Sequence, residues 1–309
     1  MTARRNGLRI GIDLGGSKIE AAALDGEGRI RCRRRVPTPA GDYPGTIQAI
    51  RELVETVEQE LGERGSVGIG IPGALSPLTG LVKNANSTCL IGHAFDRDLT
   101  AALGRPVRLA NDADCFALSE AVDGAAAGAA TVFGGILGTG VGGGVVVRGR
   151  LLAGPNAIAG EWGHSPLPWP RDDERPGALC YCGKHGCVET FVSGPGLARD
   201  HAAVAGEALS AIEIAERAEA GDPRAEATMR RYEDRLARAL ATVINLIDPH
   251  VIVLGGGLGQ ISRLYRRVPA LWGAYVFSDS VATRLVPPRY GDSSGVRGAA
   301  WLWAEDERP

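Results

Sequence analysis

The chain has 309 residues, a length that favours about two domains, and its 34 basic and 36 acidic side chains leave a net charge of −2. That balance excludes a global basic field able to recruit nucleic acid or a membrane surface. Hydrophobic residues make up 44% and charged residues 23% of the chain, which excludes disorder as its main state. Glycine, with 44 residues, has about twice its usual share, and many of these glycines are clustered.

The N-terminal stretch is not expected to be a secretion signal. Residues 1–7 are basic, but Asp13 and Gly15 interrupt the apolar residues that follow. The longest weakly polar run, 134–147, falls short of the ~18 residues that a membrane-spanning helix needs. We therefore predict a cytoplasmic protein with no membrane partner, whose six cysteines are thiols or metal ligands rather than disulfides.

Strands and helices alternate along the predicted elements. In chain order, the patterns predict strands over 9–14 and 19–24, a helix over 46–61 ending at Gly62, a strand over 67–71, a strand over 107–110, a helix over 113–121, strands over 131–137 and 145–147, a helix over 229–247 and a strand over 251–254. This alternation predicts an α/β protein with mainly parallel sheets. Twice the chain runs strand, glycine-rich turn, strand and polar turn, around Gly16 and around Gly140, which predicts two similar halves.

Three glycine-rich turns each follow an apolar strand: 15–18, 138–144 and 255–257. Such turns bring backbone N–H groups close to a phosphate, although each could also be a plain tight hairpin. The order Gly16-Ser17-Lys18 does not fit a Walker A loop, and neither G-x-G-x-x-G string, at 68–73 or 138–143, precedes a predicted helix. A phosphate-holding hairpin that occurs twice instead suits the architecture of sugar kinases and actin-like ATPases.

Two aspartates lie at strand ends next to these turns. Asp13 is inside an apolar strand, where a carboxylate either caps its own turn or binds Mg²⁺ beside phosphates. Asn111 and Asp112 join a strand to a helix, a position typical of helix caps and also of ligand contacts in α/β sheets. There Asp112 could accept a proton from an attacking hydroxyl group that Asn111 orients, whereas Asp114 fits a structural role in the first helical turn.

Three cysteines within eight residues predict a zinc site. Cys180, Cys182 and Cys187 supply three thiolates, and either His164 or His185 could complete a tetrahedral set, with His164 favoured. The alternative is three thiols without a metal. Glu161 and Glu189 lie three and two residues from these ligands, so a metal would hold both carboxylates where they could accept hydrogen bonds from substrate hydroxyls. Alone, each would be a solvated surface charge.

Several motifs together resemble the ROK family of sugar kinases, in order from about residue 9 to the C-terminus. The matching segments are 11–18 (GIDLGGSK), 111–113 (NDA), 137–144 (LGTGVGGG), 160–164 (GEWGH) and 180–189 (CYCGKHGCVE). The resemblance implies an actin-like, hexokinase-type (ribonuclease H-like) α/β fold with two domains around a cleft. It divides the chain into a smaller domain, 1–111 with about 291–309, and a larger one, 112–290, that holds the zinc. It implies ATP-dependent phosphorylation of a hexose, with Mg²⁺ and a structural zinc.

The resemblance also assigns roles to positions. Asp112 is the implied catalytic base, and His164, Cys180, Cys182 and Cys187 are the implied zinc ligands. The implied substrate contacts are Gly73, Asn86, Asn111, Glu161, His164 and Glu189. Asn86 belongs to a sugar-binding segment in which Cys89 stands where the family has an aromatic residue. The implied ATP contacts are Gly11, Ile12, Asp13, Leu14, Gly15, Gly16, Ser17 and Lys18 in the first segment, Leu137, Gly138, Thr139, Gly140, Val141, Gly142, Gly143 and Gly144 in the second, and Gly255, Gly256 and Gly257 beside the adenosine, with Asp13 as the magnesium residue.

Three further segments, 82–88, 163–169 and 291–303, are most similar to bacterial fructokinases that also accept mannose. We therefore predict an ATP-dependent kinase for the 6-hydroxyl of D-fructose, with a glucokinase or an N-acetylhexosamine kinase as the alternative. A non-catalytic sugar sensor is a different class of protein, and retention of Asp13, both glycine turns and Asp112 argues against it. Only eight residues precede Arg9, too few for the DNA-binding module of ROK repressors, so no nucleic-acid partner is expected. A homodimer would suit the family.

Overall fold

The computed structural model describes residues 7–85 and 87–303. The strands are β1 Leu8–Leu14, β2 Lys18–Leu24, β3 Ile30–Pro37, β4 Gly65–Ile71, β5 Ala74–Leu75, β6 Val82–Lys83, β7 Val107–Asn111, β8 Thr131–Leu137, β9 Val141–Val147, β10 Arg150–Leu151, β11 Val251–Gly255 and β12 Arg284–Val286. The helices are α1 Tyr43–Leu61, α2 Phe95–Leu103, α3 Asp112–Val122, α4 Glu189–Val192, α5 Gly194–Ala205, α6 Ala211–Glu219, α7 Pro223–Ile247, α8 Leu264–Trp272 and α9 Ser294–Ala300.

The chain divides into two compact units. The first holds the described residues as far as Ala127, the segment Arg150–Ala159 and the described residues from 292 onward; the second holds Gly128–Gly149 and Gly160–Gly291. Compared with the predicted domain bounds, the first unit also contains 112–127, where α3 packs closely against α9, and Arg150–Ala159.

The two units repeat one sheet topology. In the first, the strand order is β3-β2-β1-β4-β7, with an antiparallel β1–β2 hairpin followed by β4 and β7 parallel to β1. In the second, β9, β8, β11 and β12 follow the same plan, with β8 and β9 antiparallel and the others parallel to β8. The repeat predicted from the sequence is present. The expectation of mainly parallel sheets was wrong, because each repeat begins with a tight hairpin, which can only join antiparallel strands.

Each unit has its own apolar core. In the first, α1 covers the sheet with Ile50, Val54 and Val57 fully buried. This helix begins three residues before the predicted position, because Asp42 caps it by accepting a hydrogen bond from the N–H of Gly45. It ends as predicted at Gly62, whose φ of 65° lies in the left-handed region that favours glycine.

The core of the second unit is built on α7. Its buried residues recur at helical spacing and include Met229, Leu236 and Leu240. Asp222 caps the helix by accepting from the N–H groups of Arg224 and Ala225, so α7 starts six residues before the predicted 229. Among the residues that the structure describes, no helix is both long enough and apolar enough to span a membrane.

Candidate active site

The first glycine turn is an exposed hairpin in the first unit. The N–H of Gly15 donates to the carbonyl of Lys18 over 3.0 Å, while the Thr38 hydroxyl donates to the carbonyl of Gly15 over 2.8 Å. Gly16, Ser17 and Lys18 are exposed at its tip, where backbone N–H groups can meet a phosphate.

The strand before this turn is buried. Ile12 and Leu14 belong to the apolar core, and a Cβ on Gly11 would lie 2.0 Å from the carbonyl oxygen of Val296 in α9. The side chains of Ile12 and Leu14 therefore support the turn, and Gly11 is required by the close approach of α9. Of this predicted ATP segment, only Asp13 and the residues 15–18 present groups to solvent.

Asp13 and Asp112, both in the first unit, are two carboxyl groups whose pKa is raised. Burial, and then the negative charges of Asp112 and Glu20, raise the pKa of Asp13 to about 6, against the opposing effect of Lys18. Asp112 is an exposed residue that opens α3, yet desolvation by the surrounding protein raises the pKa of its carboxyl group, although the N–H of Ala113 donates to it over 2.8 Å. Two neighbouring carboxylates of raised pKa are suited to accepting a proton or binding a divalent cation.

Asn111 holds the backbone around Asp112 in place. Its Oδ1 accepts from the N–H of Ala113 over 2.9 Å and caps α3, while its Nδ2 donates to the carbonyl of Gly73 over 3.1 Å. Gly73 has a φ of 91°, and a Cβ there would lie 2.5 Å from the carbonyl of Lys83. Both residues thus shape this end of β7. The structure thus brings together Asn111 and Gly73, two of the predicted substrate contacts, and the predicted Asn86 lies outside the described residues.

The second glycine turn is shorter than the sequence predicts. β9 already begins at Val141, so only 138–140 form the turn, with the N–H of Gly138 donating to the carbonyl of Gly140 over 3.0 Å. Gly143 lies within β9, where a Cβ would be 2.9 Å from the carbonyl of Gly160. Trp162 packs at the same place and donates from its indole N–H to the carbonyl of Gly142 over 2.7 Å. The glycines of β9 therefore let the 160–163 segment pack against the strand.

The third glycine turn lies beside the second in the same unit. Gly255 ends β11, and Gly256 follows with a φ of 78° and no room for a Cβ, because the carbonyl of Leu137 would be 2.3 Å away. Gly257 is exposed and opens a short 3₁₀ helix, Gly257–Gln260. The turn at 255–257, predicted to contact the adenosine, thus adjoins Leu137 at the end of β8. The turn at 138–140, predicted to contact phosphate, begins directly after that residue.

Four predicted metal ligands come together in the second unit. The ligand atoms of His164, Cys180, Cys182 and Cys187 all lie within 4.8 Å of one another. The Sγ atoms of Cys182 and Cys187 are 3.6 Å apart, and Sγ of Cys180 is 3.5 Å from Nδ1 of His164. A tetrahedral zinc with ordinary bond lengths requires separations of about 3.5–3.8 Å. The donor set and its spacing therefore fit a closed zinc site.

Both histidines that the sequence offered as the fourth ligand can be placed. His164 ends a 3₁₀ helix, Trp162–His164, and directs Nδ1 into the cysteine cluster. His185 is exposed, and its Nδ1 lies 3.1 Å from the carbonyl of Gly177 rather than in that cluster. Sequence reasoning did not identify Tyr181, whose hydroxyl is 2.8 Å from Nε2 of His164. The sequence did offer one indication, because Tyr181 lies between two predicted ligands, Cys180 and Cys182.

Glu189 connects the cysteine cluster to the second glycine turn. Its Oε2 accepts from the N–H of Val141 over 2.9 Å, and its Oε1 lies 3.9 Å from Sγ of Cys180. Glu161 is exposed and precedes the 3₁₀ helix that carries His164. Partial desolvation, with the charges of Glu189 and Glu161, raises the pKa of Tyr181 to about 12. Glu189 thus contacts the cluster, and Glu161 lies three residues before His164 in the chain.

Comparisons with known proteins give full-length matches. The model of the ROK family matches residues 9–306. N-acetyl-D-glucosamine kinase from Yersinia pseudotuberculosis serotype O:3 is 41% identical over 296 residues, covering 94% of this chain and 97% of that protein. N-acetyl-D-glucosamine kinase from Pectobacterium atrosepticum is 39% identical over 300 residues, covering 96% and 99%.

Solved structures agree with these matches. A ROK hexokinase from Thermus thermophilus is similar with a TM-score of 0.84 and 33% identity, covering 96% of this chain and 97% of the other. A ROK family glucokinase from Streptomyces griseus, in complex with glucose and AMPPNP, is similar with a TM-score of 0.74 and 28% identity, covering 96% and 99%. These similarities confirm the predicted hexokinase-type α/β fold.

Proposed function

Because the chain belongs to the ROK family and is an ATP-dependent sugar kinase, we propose that it phosphorylates the 6-hydroxyl of an N-acetylhexosamine, with N-acetyl-D-glucosamine as the preferred substrate. The observation that carries the proposal is the 41% identity to N-acetyl-D-glucosamine kinase over nearly the full length of both chains. This is the alternative that the sequence offered, and it has more support from the comparisons than the fructose preference predicted first.

D-Fructose is the second candidate substrate. It is favoured by the segments 82–88, 163–169 and 291–303, whose sequences are similar to those of bacterial fructokinases. The two candidates differ at the atoms away from the reacting hydroxyl, where one sugar carries an acetamido group and the other a ketose ring. Both leave the chemistry of phosphoryl transfer unchanged.

The proposed chemistry is in-line attack of the sugar hydroxyl on the γ-phosphate of ATP. In the first unit, Asp112 accepts the proton of that hydroxyl, and Asn111 keeps its backbone in place through the helix cap. The turns at 15–18 and 138–140 would offer N–H groups to the phosphates, and the turn at 255–257 would contact the adenosine. In the second unit, Glu161, Glu189 and the His164 region bind the sugar. Most of the rate acceleration then comes from positioning and electrostatic stabilisation.

Asp13 fits a magnesium site, because burial, and then the neighbouring charges of Asp112 and Glu20, raise its pKa, and a divalent cation would offset the cost of holding this carboxylate ionised. When bound, Mg²⁺ neutralises phosphate charge during the transfer. His164 and the three cysteines fit structural zinc by donor type and spacing. In that role they fix the segments that carry Glu161 and Glu189.

A panel of sugars tests the substrate. We expect ATP-dependent ADP release with N-acetyl-D-glucosamine at a kcat/KM at least about tenfold above those for D-fructose, D-mannose and D-glucose, a difference of about 1.4 kcal/mol. A preference for fructose would replace the first candidate by the second. No turnover with any hexose or N-acetylhexosamine would reject the kinase assignment for this chain.

Asp112→Asn tests the base. We expect kcat to fall by at least about 100-fold, because the amide cannot accept the proton, while sugar binding by calorimetry and the melting temperature stay close to wild type. Asp114→Asn is the matched control in the same helical turn, and its kcat should stay within about twofold of wild type. Turnover of Asp112→Asn near the wild-type rate would remove Asp112 from this role.

Elemental analysis tests the zinc site. We expect about one equivalent of zinc per chain in the wild type and a large loss of zinc in Cys182→Ser, since one thiolate ligand is removed. Cys89→Ser, outside the cluster, should keep its zinc. A fully active wild-type preparation without zinc would contradict the assignment.

A further inference from the structure

A cavity of about 380 Å³ runs along β7, an edge strand of the sheet in the first unit. We call it the β7 cavity, and the residues that line it all belong to that unit. Most of the lining is apolar and includes Ala74, Leu75, Leu109, Leu151, Ala153 and Ala159. The volume lies within the range of small-molecule sites and far exceeds the ~30 Å³ that one water molecule occupies in the liquid.

The β7 cavity begins beside the proposed base. Asn111, the last residue of β7, lines the cavity, and Asp112 follows it directly in the chain. The lining continues along the strand to Val107, a distance of about 13 Å at ~3.3 Å per residue. The cavity therefore adjoins the place where the proposed function puts the sugar, and it extends away from the reacting hydroxyl.

Small side chains leave this space open on the side of the segment Arg150–Ala159, which belongs to the first unit. Three of its residues line the cavity: Ala153, Ala157 and Ala159. The segment is attached to β6, because Nζ of Lys83 donates to the carbonyl of Asn156 over 2.9 Å. The opposite wall is β7 itself, so the width of the cavity is set by secondary structure on one side and by an attached segment on the other.

The charged residues in the wall favour a neutral ligand. The guanidinium group of Arg108 is engaged within the protein, since it donates to the carbonyl of Leu302 over 2.9 Å and lies over the Trp303 ring at 4.4 Å. Asp96 and Asp114 also line the cavity, and their negative charges disfavour an anion. A neutral, apolar chain is what the remaining wall would bury most favourably.

We propose that the β7 cavity receives the N-acyl group of the sugar, and that the enzyme accepts hexosamines with N-acyl chains longer than acetyl. This inference rests on the proposed function and deepens it by naming the substrate class. An acetyl group ends in one methyl group, which fills only a small part of the cavity. Each further methylene group should improve sugar binding about fourfold, which corresponds to the ~0.8 kcal/mol of one buried methylene.

A series of N-acylated D-glucosamines measures the chain length that the cavity accepts. We expect kcat/KM with ATP to rise about fourfold from the N-acetyl to the N-propionyl sugar, and about fourfold again to the N-butyryl sugar. The change should be in KM rather than in kcat, because the reacting hydroxyl is the same throughout. A kcat/KM that is unchanged or lower with the N-propionyl sugar would overturn the proposal.

Ala153→Leu narrows the cavity from one side, and the exposed position of this alanine allows the larger side chain without repacking of the core. We expect kcat/KM for the N-butyryl sugar to fall at least about tenfold, and that for D-glucose, which has no acyl chain, to stay within about twofold of wild type. Ala203→Leu is the matched control, because Ala203 is an exposed residue of α5 in the second unit, and its chain-length profile should equal that of the wild type.

Two results with Ala153→Leu would contradict the proposal. One is a chain-length profile identical to that of the wild type. The other is a loss of kcat/KM by one common factor for every sugar, D-glucose included, which is the effect of a general structural disturbance rather than of a filled cavity.

Sugar binding in the absence of ATP separates this proposal from the proposed function. Calorimetry of the wild type should give a Kd for the N-butyryl sugar about 16-fold below that for the N-acetyl sugar, since two methylene groups are added. This trend without turnover of any sugar would reject the kinase function and leave the cavity assignment standing. Phosphorylation of N-acetyl-D-glucosamine without tighter binding of the longer chains would overturn the cavity assignment and leave the kinase function standing.

Discussion

The position of Asp13 lowers the stability of the folded protein but suits the binding of a divalent cation. A carboxyl whose pKa rises from 3.8 to about 6 on folding binds its proton more tightly in the folded chain than in the unfolded one. Ionisation of Asp13 therefore opposes folding most at pH values above about 6, and this penalty is absent below about pH 3, where both states are protonated. A divalent cation offsets the same negative charge, so the residue that weakens the free protein is suited to binding Mg²⁺.

Asp13→Asn should therefore stabilise the protein while impairing catalysis. At pH 8 without Mg²⁺ we expect a gain of about 1–2 kcal/mol in the free energy of unfolding, less than the ~3 kcal/mol of a two-unit shift because the side chain is only half-buried. At pH 3 the gain should vanish, and at pH 8 kcat with Mg²⁺ should fall by at least about tenfold. Denaturant unfolding at both pH values measures the first effect.

The exposed Asp279→Asn should show no such dependence on pH, which makes it the matched control. A lower stability of Asp13→Asn at pH 8 would mean that the ionised carboxylate is compensated inside the folded protein, and the argument from burial and from Asp112 would fail.

At the scale of elements, glycine serves two purposes that the sequence does not separate. The glycines at 16, 140 and 257 are exposed at turns, as the phosphate-binding prediction requires. Others allow backbones to touch: a Cβ on Gly68 would lie 1.9 Å from the carbonyl of Ala299, and one on Gly298 would lie 1.6 Å from the carbonyl of Cys115. The pattern G-x-G-x-x-G at 68–73 therefore includes a packing glycine, and only the position of α9 could reveal this.

Gly298→Ala should be strongly destabilising, since α9 must move away from α3 to admit a methyl group. We expect a loss of about 3 kcal/mol in the free energy of unfolding, at the upper end of the range for overpacking. Gly273→Ala is the control at the end of α8, where a Cβ would meet no atom within 4 Å, and it should be neutral within about 0.5 kcal/mol. Urea unfolding of the two variants measures the difference, and equal stabilities would contradict the close approach of α9.

At the scale of the whole chain, the repeated hairpins and the helix α7 could be predicted from periodicity, whereas the edge strand β3 could not. β3 contains Arg31, Arg33, Arg34 and Arg35, so it has no apolar pattern, and it pairs at the sheet edge where Arg33 and Arg35 bind Glu20 of β2. The candidate site, too, could be predicted from the sequence only in part. The cysteine spacing predicted the cluster with His164, but the hydrogen bond of Tyr181 depends on side-chain directions that spacing does not give.

The second unit also contains a buried ion-pair group that no sequence pattern indicated. Glu174 is buried and binds Arg238 through both oxygens at 2.8 Å, while Arg235 donates to it over 2.8 Å. Despite the cost of burial, the hydrogen bonds from Arg238 and Arg235 lower its pKa to about 2. Both arginines are on α7, so this one carboxylate fixes a connecting segment to the central helix of the unit.

Glu174→Gln should remove this attachment and leave two arginines on α7 without their shared negative charge. We expect a loss of about 3 kcal/mol in the free energy of unfolding at pH 7, since a carboxyl whose pKa is lowered on folding stabilises the fold above its unfolded pKa. As the pH falls from about 4.5 toward 2, the carboxylate of the wild type is protonated and the two proteins should converge in stability.

Glu207→Gln is the control that separates the stability effect of a buried ion pair from that of an exposed one. Glu207 pairs with Arg217 at the same 2.8 Å, but both side chains are 44% exposed, so its loss should cost no more than about 0.5 kcal/mol. Equal effects of the two substitutions at pH 7 would contradict a special role for Glu174. Because Glu174 and Gly298 belong to different units with separate cores, Glu174→Gln combined with Gly298→Ala should be additive within about 0.5 kcal/mol.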